Sequence, residues 1–409
     1  MNAAPARRDL AQEVGAIVRA AWPAMVASVV LGAAFVALVP AGLPYDEPAH
    51  WANVEFYLEQ HRMPELGEVG ASYEAQMGPV AYLLYALVAA PFHLFGLEVA
   101  GFYASRALGI VLLLALATGL AVVAQRVLRP HRGIALLVVA AAGLNPMLLA
   151  VATSIQNDVL ALLLGTAALV CCLDAGRGRV AGSARRAVLV GVLLALALLT
   201  KVTAWPFVVA IGLVLLWRRR WRDLAITAGV TAALSSWWFV RNLLLYGDLT
   251  ARAGVEAAGF EFPPLGDASA VALVKSAATY LWLPTEYVRN AIAAPWAIDL
   301  IVIVLCVILA CGAVTMARRL TRPRVMAVTV TGIAVAAVAA WAIVALASQA
   351  VAFRTAYASL LLVYTALGAL VFWGPRRAFA MVVVPLVIIA GWFLVEVASL
   401  PDPMTWIEW

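Results

Sequence analysis

An acidic pair followed by a histidine stands out early in this chain. Asp46 and Glu47 come just after the first long apolar stretch, and His50 follows them. Charged residues make up only 12% of the sequence, so two adjacent carboxylates are unusual here. A carboxylate can act as a general base or bind a divalent cation, and a histidine can assist. We predict that Asp46 and Glu47 are catalytic, that both are ligands of Mg²⁺ or Mn²⁺, and that His50 contacts the substrate.

A further acid, Asp158, directly precedes the apolar run 159–173. A carboxylate at mid-membrane costs about 2.5–3.5 kcal/mol, so Asp158 should face outer water or a polar cavity. We predict that it is the third catalytic residue. For Asp46 and Asp158 alike, the alternative is an ordinary helix N-cap, a position that Asp favours.

Three cations are predicted to lie on the same side of the membrane as these acids: Lys201, Arg241 and Arg354. Basic residues on the outer face oppose the usual positive-inside bias, so each needs a stabilising partner. A phosphate suits both side chains, and snorkelling to lipid headgroups is the alternative for any single one. Asn242 and Tyr246 follow Arg241 and are predicted to contact the same substrate.

The composition is that of a polytopic helical membrane protein. The hydrophobic fraction is 65% and the mean hydropathy is +0.97, far above a soluble domain. The net charge of +6 is spread over short loops, without a basic arm that would favour nucleic acid. The four cysteines show neither metal-ligand nor disulfide spacing, so we interpret them as small apolar core residues.

Loop charge predicts the topology. Six arginine clusters fall between apolar stretches, near residues 7–19, 126–132, 177–186, 218–222, 318–324 and 376–377. If all six are cytoplasmic, an even number of spans joins each neighbouring pair. Eleven spans satisfy this rule: 21–43, 103–125, 133–150, 157–174, 186–200, 202–217, 223–240, 297–316, 325–347, 354–373 and 378–398. The N-terminus is then cytoplasmic and the C-terminus external.

The apolar stretch 78–95 would break this parity, so we interpret it as a re-entrant or interfacial helix. It lies in a first external loop, 44–102, which holds eight acids against one base, Arg62. A second external loop covers about 241–296. Residues 1–409 are expected to form one membrane domain with no soluble C-terminal domain.

A short helix is predicted at 47–61, with Asp46 or Glu47 as its N-cap. Trp51, Val54 and Leu58 share one apolar face at helical spacing. This helix is expected to lie along the outer membrane interface, with Trp51 at headgroup depth.

The order of these motifs resembles the GT-C superfamily of integral membrane glycosyltransferases. It is most similar to bacterial relatives of the dolichyl-phosphate-mannose–protein mannosyltransferases and of the lipid A aminoarabinose transferases. The resemblance covers about residues 40–250. The motifs are Tyr-Asp-Glu-Pro-Ala-His at 45–50, Gly-Pro-Val-Ala-Tyr-Leu-Leu-Tyr at 78–85, Asn145-Pro146, Asn157-Asp158, Leu199-Thr200-Lys201 and Trp-Trp-Phe-Val-Arg-Asn at 237–242.

The resemblance implies that Asp46 is the catalytic base or a metal ligand, with Glu47 as its partner and Asp158 as the second external acid. The phosphate-binding cations match Lys201, Arg241 and Arg354. It also implies a polyprenyl-phosphate sugar donor, inverted products, and a hexosyl or pentosyl group moved to a hydroxyl of a glycan, lipid or protein. The reaction is expected at the outer face of a bacterial inner membrane. Gln76-Met77-Gly78-Pro79 departs from the family, which often has a base or histidine before two prolines.

A transporter or flippase of lipid-linked sugars is the alternative function. Such a protein needs ionisable groups along its pathway. Apart from Asp299 and Glu396 near span ends, the predicted spans are almost free of charge, which favours chemistry at the surface.

Overall fold

The fold is all-helical in a computed structural model that describes residues 9–43, 46–173, 184–257, 270–284, 295–320, 325–348, 353–398 and 400. The first eight helices are α1 (Leu10–Leu38), α2 (Glu47–Gln60), α3 (Val80–His93), α4 (Glu98–Val127), α5 (Arg132–Gly143), α6 (Pro146–Ala152), α7 (Asp158–Cys172) and α8 (Ala184–Leu198). The others are α9 (Trp205–Trp217), α10 (Trp221–Tyr246), α11 (Arg252–Ala257), α12 (Ala270–Tyr280), α13 (Pro295–Arg319), α14 (Val325–Ser348), α15 (Leu360–Ala369) and α16 (Pro375–Ala398). Short 3₁₀ segments cover Val202–Ala204, Phe353–Ser359 and Leu370–Trp373.

The predicted membrane fold is confirmed, but the count of eleven spans is not. Each predicted span coincides with a helix or a helix pair. Within the described residues, seven helices are long and apolar enough to cross a membrane, or eight if the bent pair α5–α6 is one span. Helices α7 and α8 have 15 residues each. At 1.5 Å per residue they reach only about 22 Å, short of a hydrocarbon core of about 30 Å.

Helices α4 and α5 lie at the centre of the bundle, where α1, α7 and α15 pack around them. Helix α5 ends before Asn145, whose side chain caps α6 by accepting hydrogen bonds from the backbone nitrogens of Met147 and Leu148. Pro146 cannot continue α5, and the two helices bend by 62°. The turn that follows α6 contacts the start of α2, because the Ile155 nitrogen donates a hydrogen bond to Glu47, the first residue of that helix.

A second group of helices, α7 to α10, packs against this centre. Its contact with α3 depends on Gly78, because a Cβ atom there would lie 2.0 Å from the Leu199 carbonyl oxygen. The same carbonyl accepts a hydrogen bond from the Val80 nitrogen at 3.2 Å. The close approach places the start of α3 directly beside the chain that leads into Lys201.

The predicted helix at 47–61 is present as α2, but its environment differs from the expectation. Trp51, Val54 and Leu58 are buried in the protein, and Trp51 packs edge-on against Phe102 of α4. Trp51 therefore contacts protein and not the lipid headgroups that the sequence predicted as its surroundings. The apolar face meets the protein because α3 and α4 cover it, a tertiary arrangement that helical spacing does not encode.

Helix α2 also carries a partly buried carboxyl group, Glu55. Burial raises its pKa to about 7, with Glu59 and Glu98 adding to the rise and a hydrogen bond with Trp51 opposing it. The folded protein therefore favours the neutral acid. The resulting stabilisation is complete below the ordinary pKa and is lost as the pH rises through about 7.

We expect Glu55→Gln, which stays neutral, to flatten the fall in thermal stability between pH about 5 and about 8. Unfolding midpoints of the purified protein across this range measure the effect. Glu256→Gln, an exposed change on α11, should leave the wild-type slope intact. Equal slopes for wild type and Glu55→Gln would contradict this account.

Candidate functional site

Asp46 directs its carboxylate into the protein instead of capping α2. Its backbone has a φ of 65°, in the left-handed region, and its side chain makes no capping hydrogen bond. The Tyr73 hydroxyl instead donates to Asp46 Oδ1 at 2.5 Å. A left-handed conformation is unusual for a residue other than glycine and is often found at functional sites. The alternative of an ordinary side-chain N-cap is therefore wrong for Asp46.

Glu47 points away from Asp46 into a buried ion pair with Arg106 of α4. Both side chains are 0% exposed, with Nη2–Oε2 and Nε–Oε1 distances of 2.5 and 2.8 Å. The Glu47 carboxylate also accepts hydrogen bonds from the backbone nitrogens of Gly42 and Ile155. Arg106 donates in addition to the Val39 carbonyl oxygen at 2.7 Å. Both Glu47 oxygens are thus engaged in holding the end of α1, the start of α2, and α4 together.

Arg106 is the functional neighbour that the sequence analysis missed. It lies inside the predicted span 103–125, one of the spans expected to be almost free of charge. A charge within an apolar span is itself a signal, because such residues are costly unless paired. Its partner lies 59 residues earlier in the chain, so spacing alone could not identify it.

Asp46, His50 and Glu74 converge on one point. One ligand atom from each lies within 4.8 Å of the others. His50 and Glu74 are buried, and His50 Nδ1 is 2.8 Å from the Tyr82 hydroxyl oxygen. Bonds of about 2.0–2.6 Å from one divalent cation can bridge atoms at this spacing. The donor set therefore fits a metal ion. Its second carboxylate belongs to Glu74 and not to Glu47, the predicted ligand, which is paired with Arg106.

Asp158 forms a second charged centre with Lys201. Asp158 is the first residue of α7 and is 4% exposed. Its Oδ1 accepts a hydrogen bond from Lys201 Nζ at 2.8 Å, and its Oδ2 has no hydrogen-bond partner within the described residues. The N-cap position belongs to Asn157, so the N-cap alternative for Asp158 is wrong as well.

The two centres are connected through the backbone. Glu47, next to Asp46, binds the nitrogen of Ile155, three residues before Asp158. The Tyr85 hydroxyl of α3 donates to the Gln156 carbonyl oxygen at 2.8 Å. The turn between α6 and α7 is thus held against both α2 and α3. We call the two centres together the acidic site.

Arg241, Asn242 and Tyr246, at the end of α10, hold the loop that carries Glu74. Arg241 Nη2 donates to the Pro64 carbonyl oxygen at 2.7 Å, and Asn242 Nδ2 donates to that of Gln76 at 3.3 Å. The Tyr246 hydroxyl accepts a hydrogen bond from the Leu66 nitrogen at 3.1 Å. These contacts give all three residues a structural role in addition to the predicted substrate binding.

One donor of Arg241 is left for another partner. Its Nη1 is buried without a hydrogen-bond partner in the described part of the chain, and the same holds for the Tyr57 hydroxyl of α2. Burial raises the Tyr57 pKa, and the Arg241 charge lowers it by a smaller amount, so the two groups interact electrostatically. Two neighbouring donors of this kind suit an anion. Arg354 lies in the Phe353–Ser359 segment, and its side chain falls outside the described residues.

Solved structures with the same fold define the class of protein. The Archaeoglobus fulgidus oligosaccharyltransferase in complex with Zn and sulfate matches with a TM-score of 0.55 and 13% identity, over 93% of this chain and 54% of that one. AglB from the same organism, in complex with an inhibitory peptide and a dolichol-phosphate, matches with a TM-score of 0.51 and 13% identity, over 94% and 56%. At this identity the likeness shows the fold alone, and the chain spans about half of these proteins. The fold is the GT-C membrane fold, as predicted.

The chain belongs to the dolichyl-phosphate-mannose-protein mannosyltransferase family, whose sequence profile matches residues 20–247. The matched region contains the acidic site and ends just after Tyr246. No curated protein sequence matches the chain.

The Glu47–Arg106 ion pair can be tested by a double-mutant cycle. Arg106→Met leaves a buried carboxylate without its cation, so we expect a loss of about 3–5 kcal/mol in the free energy of unfolding. Adding Glu47→Met should recover much of this loss, because a buried ion pair replaced by apolar residues is often neutral. Denaturant unfolding of the purified protein in detergent measures each variant.

Arg126, which pairs with Glu13 toward the other end of α4, provides the matched control. Its carboxylate partner is less buried, and Arg126→Met should therefore cost clearly less. Equal losses for the two single variants, or no recovery in the double variant, would refute the proposed role of the Glu47–Arg106 pair.

Proposed function

We propose that this protein is an inverting glycosyltransferase. It moves a sugar from a polyprenyl-phosphate donor to an acceptor hydroxyl at the outer face of a bacterial inner membrane. The observation that carries the proposal is the acidic site: Asp46, His50 and Glu74 converge on one point, and Glu47 ties α2 to the turn that leads to the buried Asp158–Lys201 pair. Membership in the mannosyltransferase family supports the same reaction and favours mannose as the transferred sugar.

The proposed reaction is a single displacement. The Asp46 carboxylate removes the proton of the acceptor hydroxyl, and the hydroxyl oxygen attacks the anomeric carbon of the sugar. The bond between that carbon and the phosphate oxygen breaks, and its electron pair leaves with the polyprenyl phosphate. Attack from the side opposite the phosphate inverts the anomeric configuration. Tyr73 and Glu47 position Asp46 for this step, Tyr73 by its hydrogen bond and Glu47 through the backbone.

Three cations are proposed to receive the phosphate. Arg241 Nη1 and the Tyr57 hydroxyl are buried donors that could bind its oxygens. Lys201, held by Asp158, and Arg354 would add positive charge as the phosphate leaves. Hydrogen bonds of this kind stabilise the leaving group only when the donors are already in place. The contacts of Arg241, Asn242 and Tyr246 with the neighbouring loop would hold the Arg241 donor in position.

Asp46, His50 and Glu74 are the residues that would hold a divalent cation. Two carboxylates and one imidazole suit Mn²⁺ or Zn²⁺ better than Mg²⁺, which prefers oxygen ligands alone. When bound, the cation would neutralise charge that develops on the phosphate. The Tyr82 hydroxyl oxygen would then orient the His50 ring by accepting a hydrogen bond from Nδ1.

Asp46→Asn is the direct test of the proposed base. Membranes containing the protein are supplied with labelled polyprenyl-phosphate mannose, and sugar incorporation into membrane products is measured. We expect at least about a 100-fold loss of transfer, since the amide cannot accept the proton. Glu59→Gln, an exposed change on α2, should retain wild-type transfer.

The same experiment discriminates against a transporter or flippase of lipid-linked sugars. A transporter would move the labelled lipid between leaflets without forming product, with or without Asp46. Product formation that is unchanged in Asp46→Asn would eliminate Asp46 as the base. Absence of product from any of a panel of polyprenyl-phosphate hexoses and pentoses, together with lipid movement, would favour transport.

Cation binding can be measured apart from activity. Titration of the purified protein with Mn²⁺, followed by electron paramagnetic resonance, should show a site that Glu74→Gln weakens by at least about tenfold. Glu68→Gln, in the same loop but paired with Arg62, is the control and should bind Mn²⁺ like the wild type. Wild-type affinity in Glu74→Gln would rule out the three-residue site.

A further inference from the structure

Two arginines share one aromatic ring at the end of the bundle where α4 and α13 finish. The guanidinium carbon of Arg129 lies 4.6 Å from the Phe372 ring centroid, and that of Arg319 lies 4.7 Å from it. Both distances are within the range of a cation–π interaction. The two guanidinium groups contact one ring and lie within about 9 Å of each other, an arrangement that we call the Phe372 clamp.

Within the described residues, no carboxylate lies at ion-pair distance from Arg129 or Arg319. Glu13, an acid near this end of α4, is already paired with Arg126. Two cations held near each other repel, so an anion between them would be stabilising.

The clamp lies where several candidate membrane spans end. Helix α4 finishes at Val127 and α13 at Arg319, while a third span finishes at Trp373 and α16 begins at Pro375. Trp373 is 48% exposed beside the clamp, as expected for an aromatic residue at a membrane interface. Two more exposed arginines, Arg376 and Arg377, follow in the first turn of α16. The positive charge is therefore concentrated at the boundary between hydrocarbon and water.

We propose that the Phe372 clamp binds the phosphate of an anionic phospholipid headgroup. Arginine offers paired donors that match a phosphate, and the ring keeps the two guanidinium groups in place. The acyl chains of the same lipid would lie along the exposed apolar face of α13, which includes Val307 and Val314. Basic pockets between membrane helices are a known way to hold anionic lipids. The binding site is separate from the acidic site and does not depend on the proposed reaction.

Native mass spectrometry of the full-length protein in mild detergent tests the proposal. Dioleoyl phosphatidylglycerol is titrated against the wild type and against Arg129→Gln/Arg319→Gln. The double variant removes the charge-assisted hydrogen bonds of both guanidinium groups to one phosphate, so we expect it to bind at least about tenfold more weakly. Phosphatidylcholine with the same chains should bind weakly to both proteins.

Matched variants separate the clamp from general charge and from misfolding. Arg218→Gln/Arg222→Gln removes two other exposed arginines and should leave phosphatidylglycerol binding nearly unchanged. Phe372→Leu keeps both charges and should lose affinity several-fold, whereas Arg129→Lys/Arg319→Lys should retain part of it. Equal lipid binding in wild type and the Arg129/Arg319 double variant, or equal losses in the two glutamine double variants, would overturn the proposal.

A free-phosphate arm distinguishes the lipid from a soluble anion. Inorganic phosphate at millimolar concentration should not displace the bound phosphatidylglycerol, because the acyl chains add affinity that the free ion lacks. Displacement at the same concentration would show a simple phosphate site and would also count against the lipid proposal.

Discussion

The buried ion pair between Glu47 and Arg106 is the constraint on which the acidic site depends. Both side chains are fully removed from solvent, and such a charge is tolerated only with its partner and further hydrogen bonds. Arg106 satisfies the last carbonyl groups of α1, while Glu47 binds two backbone nitrogens from separate turns. Four chain segments are thereby fixed to one another. Asp46 precedes Glu47 directly, so we infer that this arrangement also constrains the left-handed backbone of Asp46 and the orientation of its carboxylate.

The acidic site is assembled from distant pieces of chain, each held by a contact of its own. Tyr73 and Glu74 lie on a loop that is hydrogen-bonded to the end of α10 through backbone atoms of Pro64, Leu66 and Gln76. Lys201 arrives through the close contact of Leu199 with Gly78. Positioning of this kind is what transfer chemistry requires, because donors and bases stabilise a transition state only if they are already in place.

The distribution of charge supports the proposed transfer reaction over transport. The charge inside α4, Arg106, is neutralised by Glu47 and forms no part of a described pathway through the bundle. The acids of the acidic site occur at helix starts and in loops, where substrates from water and from lipid can meet. Near the C-terminal end of α4, the Phe372 clamp concentrates positive charge, which we propose binds lipid headgroups.

The sequence by itself determined the helical membrane fold, the family and helix α2, and it singled out Asp46, His50, Asp158 and Lys201 as candidate site residues. Composition, local periodicity and short motifs carry that information. Only the tertiary structure decided that Glu74 accompanies Asp46, that Glu47 turns to Arg106, and that Trp51 faces protein rather than lipid. Asp46 and Tyr73 are 27 residues apart, and Glu47 and Arg106 are 59 apart. Such pairs form because helices pack at particular angles, and no local pattern in the chain encodes those angles.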